Sequence, residues 1–272
     1  MLRQRVVTAC ALLALLAAVL LWLPYEGFAV FASLVFVLAA WEWANLAGLA
    51  QPRERLAYAG AFAVLFAVLA ATGMPQQTGL VVVVLSLSIA GWLAALVAVV
   101  RYPAAKAWYR PAALKVAGLW LLVPPWLGLL VLQPAAPRSG LIWLAIAVIA
   151  AADIGAYFAG RRFGRHKLAV HVSPGKTWEG FWGGAAANAL MASVIALVLG
   201  LSWPAFALFV AAMVLTAAVS VLGDLFESMV KRERGIKDSS QLLPGHGGVL
   251  DRVDGWTAAV PLFTLLYLLC GR

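Results

Sequence analysis

The chain has 272 residues, of which 64% are apolar and only 11% are Asp, Glu, Lys or Arg, against about 25% charged in an ordinary soluble domain. With a mean hydropathy of +0.95, this excludes a soluble domain, a disordered chain and a small disulfide-stapled secreted module. What remains is an all-α, polytopic integral membrane protein. Its net charge of +9 is then explained by cytoplasmic loops rather than by nucleic-acid binding.

A spanning helix needs about 20 mainly apolar residues. Nine stretches qualify, near residues 6–24, 28–50, 56–72, 79–100, 113–133, 140–160, 180–200, 203–230 and 252–270. The first, led by basic residues up to Arg5, also resembles a signal peptide, but its apolar run is longer than a usual h-region and it is read as a retained span. The third is short. The fifth carries Pro124 and Pro125, which should break or kink it. The eighth is too long for the bilayer, so one end should leave the hydrocarbon or line a wet cavity.

With the N-terminus inside, 18 of the 20 Lys and Arg residues fall on the cytoplasmic side, including Arg3, Arg5, Arg53, Arg55 and Lys106, and only Arg138 and Arg272 fall outside. The positive-inside rule therefore orients the chain with its N-terminus in the cytoplasm and its C-terminus out. Cys10 and Cys270 lie at opposite faces in this topology, too far apart for a disulfide, and are expected to be packing residues.

The acidic residues separate the chain into two regions. Only Glu26, Glu42 and Glu54 precede residue 150, so residues 1–135 read as an N-terminal set of membrane helices and residues 136–272 as the region holding the chemistry. Glu42, within Trp41-Glu42-Trp43, has no evident partner. No internal repeat is visible, which weakens a transporter of the inverted-repeat type.

Asp153 lies in the sixth span, where a carboxylate costs about 2.5–3.5 kcal/mol even on insertion scales, so it is a functional candidate by default. Beyond it runs a basic, glycine-punctuated loop through Arg161, Arg162 and Arg165 to Ser173-Pro-Gly-Lys176-Thr177-Trp-Glu179-Gly180. Such a loop can offer cations and backbone N–H groups to phosphate, or it is simply basic because cytoplasmic loops are. Ser173-Pro-Gly reads as a turn, and Thr177 as the N-cap of the seventh helix, with Glu179 at the positive end of its dipole. His166 and His171 lack metal-ligand spacing and read as solvated.

In the eighth span, Asp224, Glu227, Ser228 and Lys231 are spaced to share one helix face. That stripe needs a wet, ion-containing environment, or it is an ordinary interfacial helix end. Next come Lys237, Asp238 and a loop with Pro244, Gly245, His246, Gly247 and Gly248, in which backbone can approach a ligand closely. Asp251 and Asp254 share a face at the start of the ninth helix, either as capping carboxylates or as ligands for a hard cation.

The 27-residue run from Ser228 through Lys231-Arg232, Lys237-Asp238, Pro244, His246-Gly247-Gly248 and Asp251-Arg252 to Asp254 resembles the signature of the phosphatidate cytidylyltransferases. The Ser173–Gly180 run resembles a second motif of that family. The resemblance implies a nucleotidyl transfer in phospholipid biosynthesis: CTP and phosphatidic acid give CDP-diacylglycerol and pyrophosphate. By this resemblance, and by their carboxylate chemistry, Asp224 and Asp251 are the principal metal ligands and Asp254 a supporting ligand or the orienter of Arg252. Lys231, with Arg232 and Lys237, would hold triphosphate or lipid phosphate. Ser228 would donate to a phosphate oxygen or bind metal, and His246, Gly247 and Gly248 would shape the nucleotide loop, with Arg252 among the substrate-binding groups. Ser173, Lys176 and Thr177 would contact the second phosphate. The family also implies Mg²⁺, a monovalent cation in an adjacent site and a homodimer; the compactness of the chain points to a bacterial inner membrane, and a cytosolic CTP meeting a lipid in the leaflet puts the site on the cytoplasmic face.

The rivals explain less. A CTP-dependent polyprenol or dolichol kinase would transfer the γ-phosphoryl group and does not account for the signature. A CDP-alcohol phosphotransferase would need an Asp-Gly-x₂-Ala-Arg run, which Asp254-Gly255-Trp256 does not continue. A transporter predicts polar residues along a crossing path, whereas these gather at one face. A purely structural scaffold has no use for Asp224, Asp251 and Asp254 together.

Overall fold

The computed structural model describes residues 2–104 and 110–270, without the side chains of residues 2–6 and 138. Lys106 and Arg272 therefore lie outside the described residues, as do the side chains of Arg3, Arg5 and Arg138, all of which entered the orientation argument. Nine α-helices follow in order among the described residues: α1 (Leu2–Trp22), α2 (Tyr25–Leu46), α3 (Pro52–Ala71), α4 (Thr78–Val100), α5 (Pro111–Ala135), α6 (Gly140–Phe163), α7 (Trp178–Val198), α8 (Trp203–Arg234) and α9 (Leu250–Cys270). Helices α2 to α9 are each long and apolar enough to cross a membrane; the described apolar part of α1, Val7–Trp22, is shorter. Large apolar side chains such as Leu34, Val64, Leu87, Leu93, Leu190 and Leu197 face outward, as lipid-facing positions should.

Between helices in lipid there is little hydrophobic driving force, so packing and hydrogen bonds hold the bundle together. Two buried tryptophans, Trp43 and Trp126, do both. Trp43 Nε1 donates to Leu114 O at 2.8 Å, and Trp126 Nε1 donates to Ser33 Oγ at 2.9 Å while stacking on Phe66 at 4.7 Å. Phe226 of α8 meets Trp43 of α2, Trp92 of α4 and Trp120 of α5 at centroid distances of 6.3, 5.7 and 5.4 Å. Through this one ring, α8 is fastened to three helices of the first 135 residues. Helix α9 also packs on α2, α4 and α5 as well as on α6 and α8, so both regions contribute to one continuous core.

Two expectations change here. Pro124 and Pro125 do not interrupt α5, which runs unbroken from Pro111 to Ala135 with both prolines buried. Neighbouring helices hold the segment where the proline ring forfeits an intrahelical bond. The Ser173-Pro-Gly run is not a turn: Ser173–Thr177 is strand β2, paired antiparallel with β1 (Lys167–Ala169) in the register Lys167↔Thr177 and Ala169↔Ser173. A two-stranded ladder leaves outer edges that need no amide donor, so Pro174 fits. Cys10 and Cys270 are free and exposed; outward-facing on their helices, they are not the packing residues expected.

Thr177 caps α7 as its position predicts, its Oγ1 accepting from Gly180 N–H at 3.1 Å. Glu179 does more than meet a dipole. It accepts from the N–H groups of Arg165 and His166 at 3.1 and 3.2 Å and lies 2.6 Å from His166 Nδ1, pinning the entry of the hairpin to α7. The alternating helices bring the C-terminal ends of α2, α6 and α8 together with the N-terminal ends of α3, α7 and α9. Bonds across that end include Arg234 Nε to Asn45 O at 3.2 Å and Arg55 Nε to Trp41 O at 3.2 Å.

Candidate active site

At this end of the bundle the last two turns of α8 turn their polar stripe inward. Glu227 and Lys231 are 1% and 7% exposed, which the over-long eighth span requires if its end is to line a polar interior. Lys231 Nζ lies 3.0 Å from Glu227 Oε1 and 2.6 Å from Asp251 Oδ1, joining α8 to α9. Asp224 lies 2.5 Å from Lys176 Nζ of the hairpin and accepts from Ser228 Oγ at 3.1 Å. Because Asp224, Ser228 and Lys231 are one and two turns apart, the helix itself sets their spacing.

Asp251 is committed to a dense set of donors. Its Oδ1 takes Lys231, while Oδ2 accepts from Ser239 N–H at 2.9 Å, Ser239 Oγ at 2.9 Å and Gly248 N–H at 2.7 Å. Asp254 accepts from Gly255 N–H at 2.7 Å. Among the described residues no ion pair joins Arg252 to Asp254. The loop before α9 is shaped by two glycines with left-handed backbone, Gly245 at φ 76° and Gly247 at φ 80°, and closed by the Leu243–Gly247 bridge. At Gly247 the demand is double, because a Cβ would also meet Asp251 Oδ2 at 2.7 Å.

Two cavities border this cluster. One, of about 380 Å³, lies between α6, α7, α8 and the hairpin and is lined by Asp153, Tyr157, Lys176, Thr177, Phe181 and Asp224 among others. Its walls combine aromatic and apolar surface with one ammonium, the guanidinium of Arg161 and two carboxylates. The other, of about 630 Å³, is polar and bordered by Lys237, Asp238, His246, Gly247 and Arg252. His246 Nδ1 is buried there without a hydrogen-bond partner.

The sequence-derived candidates thus divide. Lys176, Thr177 and Asp224 share the first cavity, and Lys237, His246, Gly247 and Arg252 the second. Gly248 and Asp251 sit behind the second cavity, and Ser228 braces Asp224. Three candidates are placed differently from the simplest expectation. Lys231 faces inward onto carboxylates. Arg232 donates to the carbonyls of Val172 at 3.3 Å and Ile236 at 3.4 Å. Ser173 is held in the ladder opposite Ala169 and borders neither cavity. Sequence reasoning passed over Ser239 and left Glu227 out of the candidate site. Glu227 was visible as a carboxylate in a span, the signal that singled out Asp153.

Among the described residues no three His, Cys, Asp or Glu side chains form a ready-made metal site. The donor chemistry nevertheless suits a hard divalent cation. Glu227 Oε1 faces Lys231 while its Oε2 is buried without a hydrogen-bond partner, and Asp254 is the electrostatic neighbour of both Glu227 and Asp224. Four carboxylates thus gather around two lysines, an excess of buried negative charge that a cation would relieve.

Comparison with known proteins agrees with this chemistry. The model of the Cytidylyltransferase family matches residues 3–270. The phosphatidate cytidylyltransferase of Pseudomonas aeruginosa is 44% identical over 272 residues, covering 100% of this chain and 98% of that protein. That of Haemophilus influenzae is 41% identical, covering 98% and 99%, and that of Brucella suis 36% identical, covering 98% and 92%. Similarity running the length of the chain, and through both borders of the carboxylate–lysine cluster, places this chain in the cytidylyltransferase family.

Proposed function

We propose that the chain is a phosphatidate cytidylyltransferase, joining CTP to phosphatidic acid at the cytoplasmic face of a bacterial inner membrane. The observation that carries this reading is the pairing of two unlike cavities around one charged cluster. An amphipathic cavity between helices suits a lipid phosphate, and a polar cavity under a glycine-rich loop suits a water-soluble nucleotide.

The reaction asks little covalent chemistry of the protein. An ionised phosphatidate oxygen attacks the α-phosphorus of CTP, that oxygen–phosphorus bond forms, and the bond to the β-phosphate oxygen breaks to release pyrophosphate. No general base is needed, because the attacking oxygen is already ionised at neutral pH. Catalysis is then positioning and charge neutralisation. Lys176 is placed to meet phosphate in the first cavity, with Thr177 beside it. Lys237 and Arg252 meet phosphate in the second, where the loop from Gly245 to Gly248 lets backbone approach the nucleotide and His246 forms part of the wall. Lys231 holds Glu227 and Asp251 together so that their charges do not spread the α8–α9 pair.

Asp224 and Asp251, with Asp254 in support, would hold Mg²⁺, which would supply the charge neutralisation that two anionic substrates require. A monovalent cation alongside, and a homodimeric assembly, complete the proposal.

The test follows the label. Purified protein is given phosphatidic acid, Mg²⁺ and CTP labelled at either the α- or the γ-phosphorus. We expect the α label in lipid and the γ label in released pyrophosphate. Entry of the γ label into a polyprenol offered alongside would mean a kinase, and failure of both labels to enter lipid in folded protein would remove the enzymatic reading.

A further inference from the structure

Glu42 precedes Gly247 and Gly248 of the signature by 205 and 206 residues in chain order, yet its carboxylate is fully buried against the second of them. Oε1 accepts from Ser240 Oγ at 2.5 Å and from Val249 N–H at 3.0 Å; Oε2 accepts from Leu250 N–H at 2.6 Å and lies 3.3 Å from Ser239 Oγ. The first amides of a helix have no carbonyl within their own helix. Here α2 supplies the acceptor, and its negative charge sits at the positive end of the α9 dipole.

The same group reaches the candidate site through Ser239. The hydroxyl of Ser239 lies between Glu42 Oε2 and Asp251 Oδ2, while its N–H donates to Asp251 Oδ2. Gly248 adds a second link: its N–H donates to Asp251 Oδ2, and a Cβ there would meet Ser239 Oγ and, at 2.6 Å, Glu42 Oε1. Glu42, Ser239, Gly248 and Asp251 therefore form one closely packed polar layer. A buried carboxylate is costly unless its oxygens are met by donors, and every donor to Glu42 comes from the segment that carries or flanks Asp251.

We infer that Glu42 is a positioning residue: through Ser239 and Gly248 it fixes the start of α9 and with it the orientation of the Asp251 carboxylate. The inference rests on the cytidylyltransferase reading of that site. It also gives the N-terminal helices a part in the reaction.

The experiment compares wild type with Glu42→Gln, Ser239→Ala and the double variant, purified in detergent, for kcat and for KM toward CTP and phosphatidic acid. Gln keeps the size of Glu but turns an NH₂ toward donors that need an acceptor. Residues that orient a functional carboxylate typically contribute about 10–100-fold to activity, so kcat of Glu42→Gln should fall by at least about tenfold on that scale. KM for both substrates should stay within about twofold, the pattern of an interaction felt in the transition state rather than in substrate binding. The losses of the two single variants should not multiply in the double variant. Wild-type kcat in folded Glu42→Gln, or losses that multiply, would overturn the inference. Should Glu42→Gln not fold, Ser239→Ala decides, since it leaves the bonds from Glu42 to Val249 and Leu250 in place; unchanged kcat there overturns the inference as well. Wild-type protein that makes no CDP-diacylglycerol would remove the underlying reading and the inference with it.

Discussion

Lys231 shows how a residue can match a motif and still do something the motif does not state. Its ammonium is buried between Glu227 and Asp251 at 3.0 and 2.6 Å, so it neutralises two carboxylates before any substrate arrives. Removing one partner of a buried ion pair leaves uncompensated charge and costs about 3–5 kcal/mol. Lys231→Met should therefore lose both turnover and stability, with a clear drop in melting temperature in detergent; a variant that melts as wild type but binds CTP more weakly would return Lys231 to the substrate. The residue types of the candidate site were legible in the sequence because acidic side chains are expensive in spans and stand out. Their pairing was not. That Asp224 takes Lys176 from a hairpin some fifty residues earlier, or that Glu42 answers donors around residue 249, depends on tertiary contacts that no local spacing encodes.

Helices were the most legible elements, since twenty apolar residues in lipid have few other ways to satisfy their backbone. What spacing could not give was how closely two helices approach. At the α6–α7 seam, a Cβ on Gly184 would meet Ala152 O at 2.6 Å, and one on Gly155 would meet Gly183 O at 2.7 Å. Backbone stands against backbone there, and neither helix can yield without moving the walls of the cavity that holds Asp153 and Lys176. Gly184→Ala should accordingly destabilise by about 1–3 kcal/mol, the usual cost of overpacking, and reduce activity. Gly60→Ala on α3 is the informative control: a Cβ there meets nothing within 4 Å, so the better helix former should stabilise by up to about 1 kcal/mol. Equal thermal shifts in the two variants would mean that the seam is looser than its geometry. The strand Ser173–Thr177 was missed for a different reason. Pro-Gly is strong turn chemistry, and the pairing with Lys167–Ala169 overrides it only once α6 and α7 have brought the two segments side by side.

For the whole molecule, the arrangement of charge and the arrangement of chemistry make a joint demand. Both cavities, the carboxylate–lysine cluster and the Glu42 layer occupy the end of the bundle where α2, α6 and α8 finish. The proposed use of cytosolic CTP predicts that this end faces the cytoplasm, which is also where the positive-inside rule sends the basic segments. The opposite end carries the α7–α8 connection at Ser202, and the active end carries the α2–α3 connection at Gln51; both positions are exposed. Cys10 and Cys270 are free and exposed, so replacing them with serine should leave the fold intact and provide a background for single-cysteine labelling. A membrane-impermeant maleimide should then modify Ser202→Cys in right-side-out vesicles and Gln51→Cys in inside-out vesicles. CTP-dependent lipid product should form only in the inside-out preparation. The reverse labelling pattern would put the carboxylate cluster on the side without nucleotide, and cytidylyl transfer could not be the reaction of this site. Agreement between labelling and turnover would instead tie the orientation drawn from scattered Lys and Arg residues to the face on which the reaction runs.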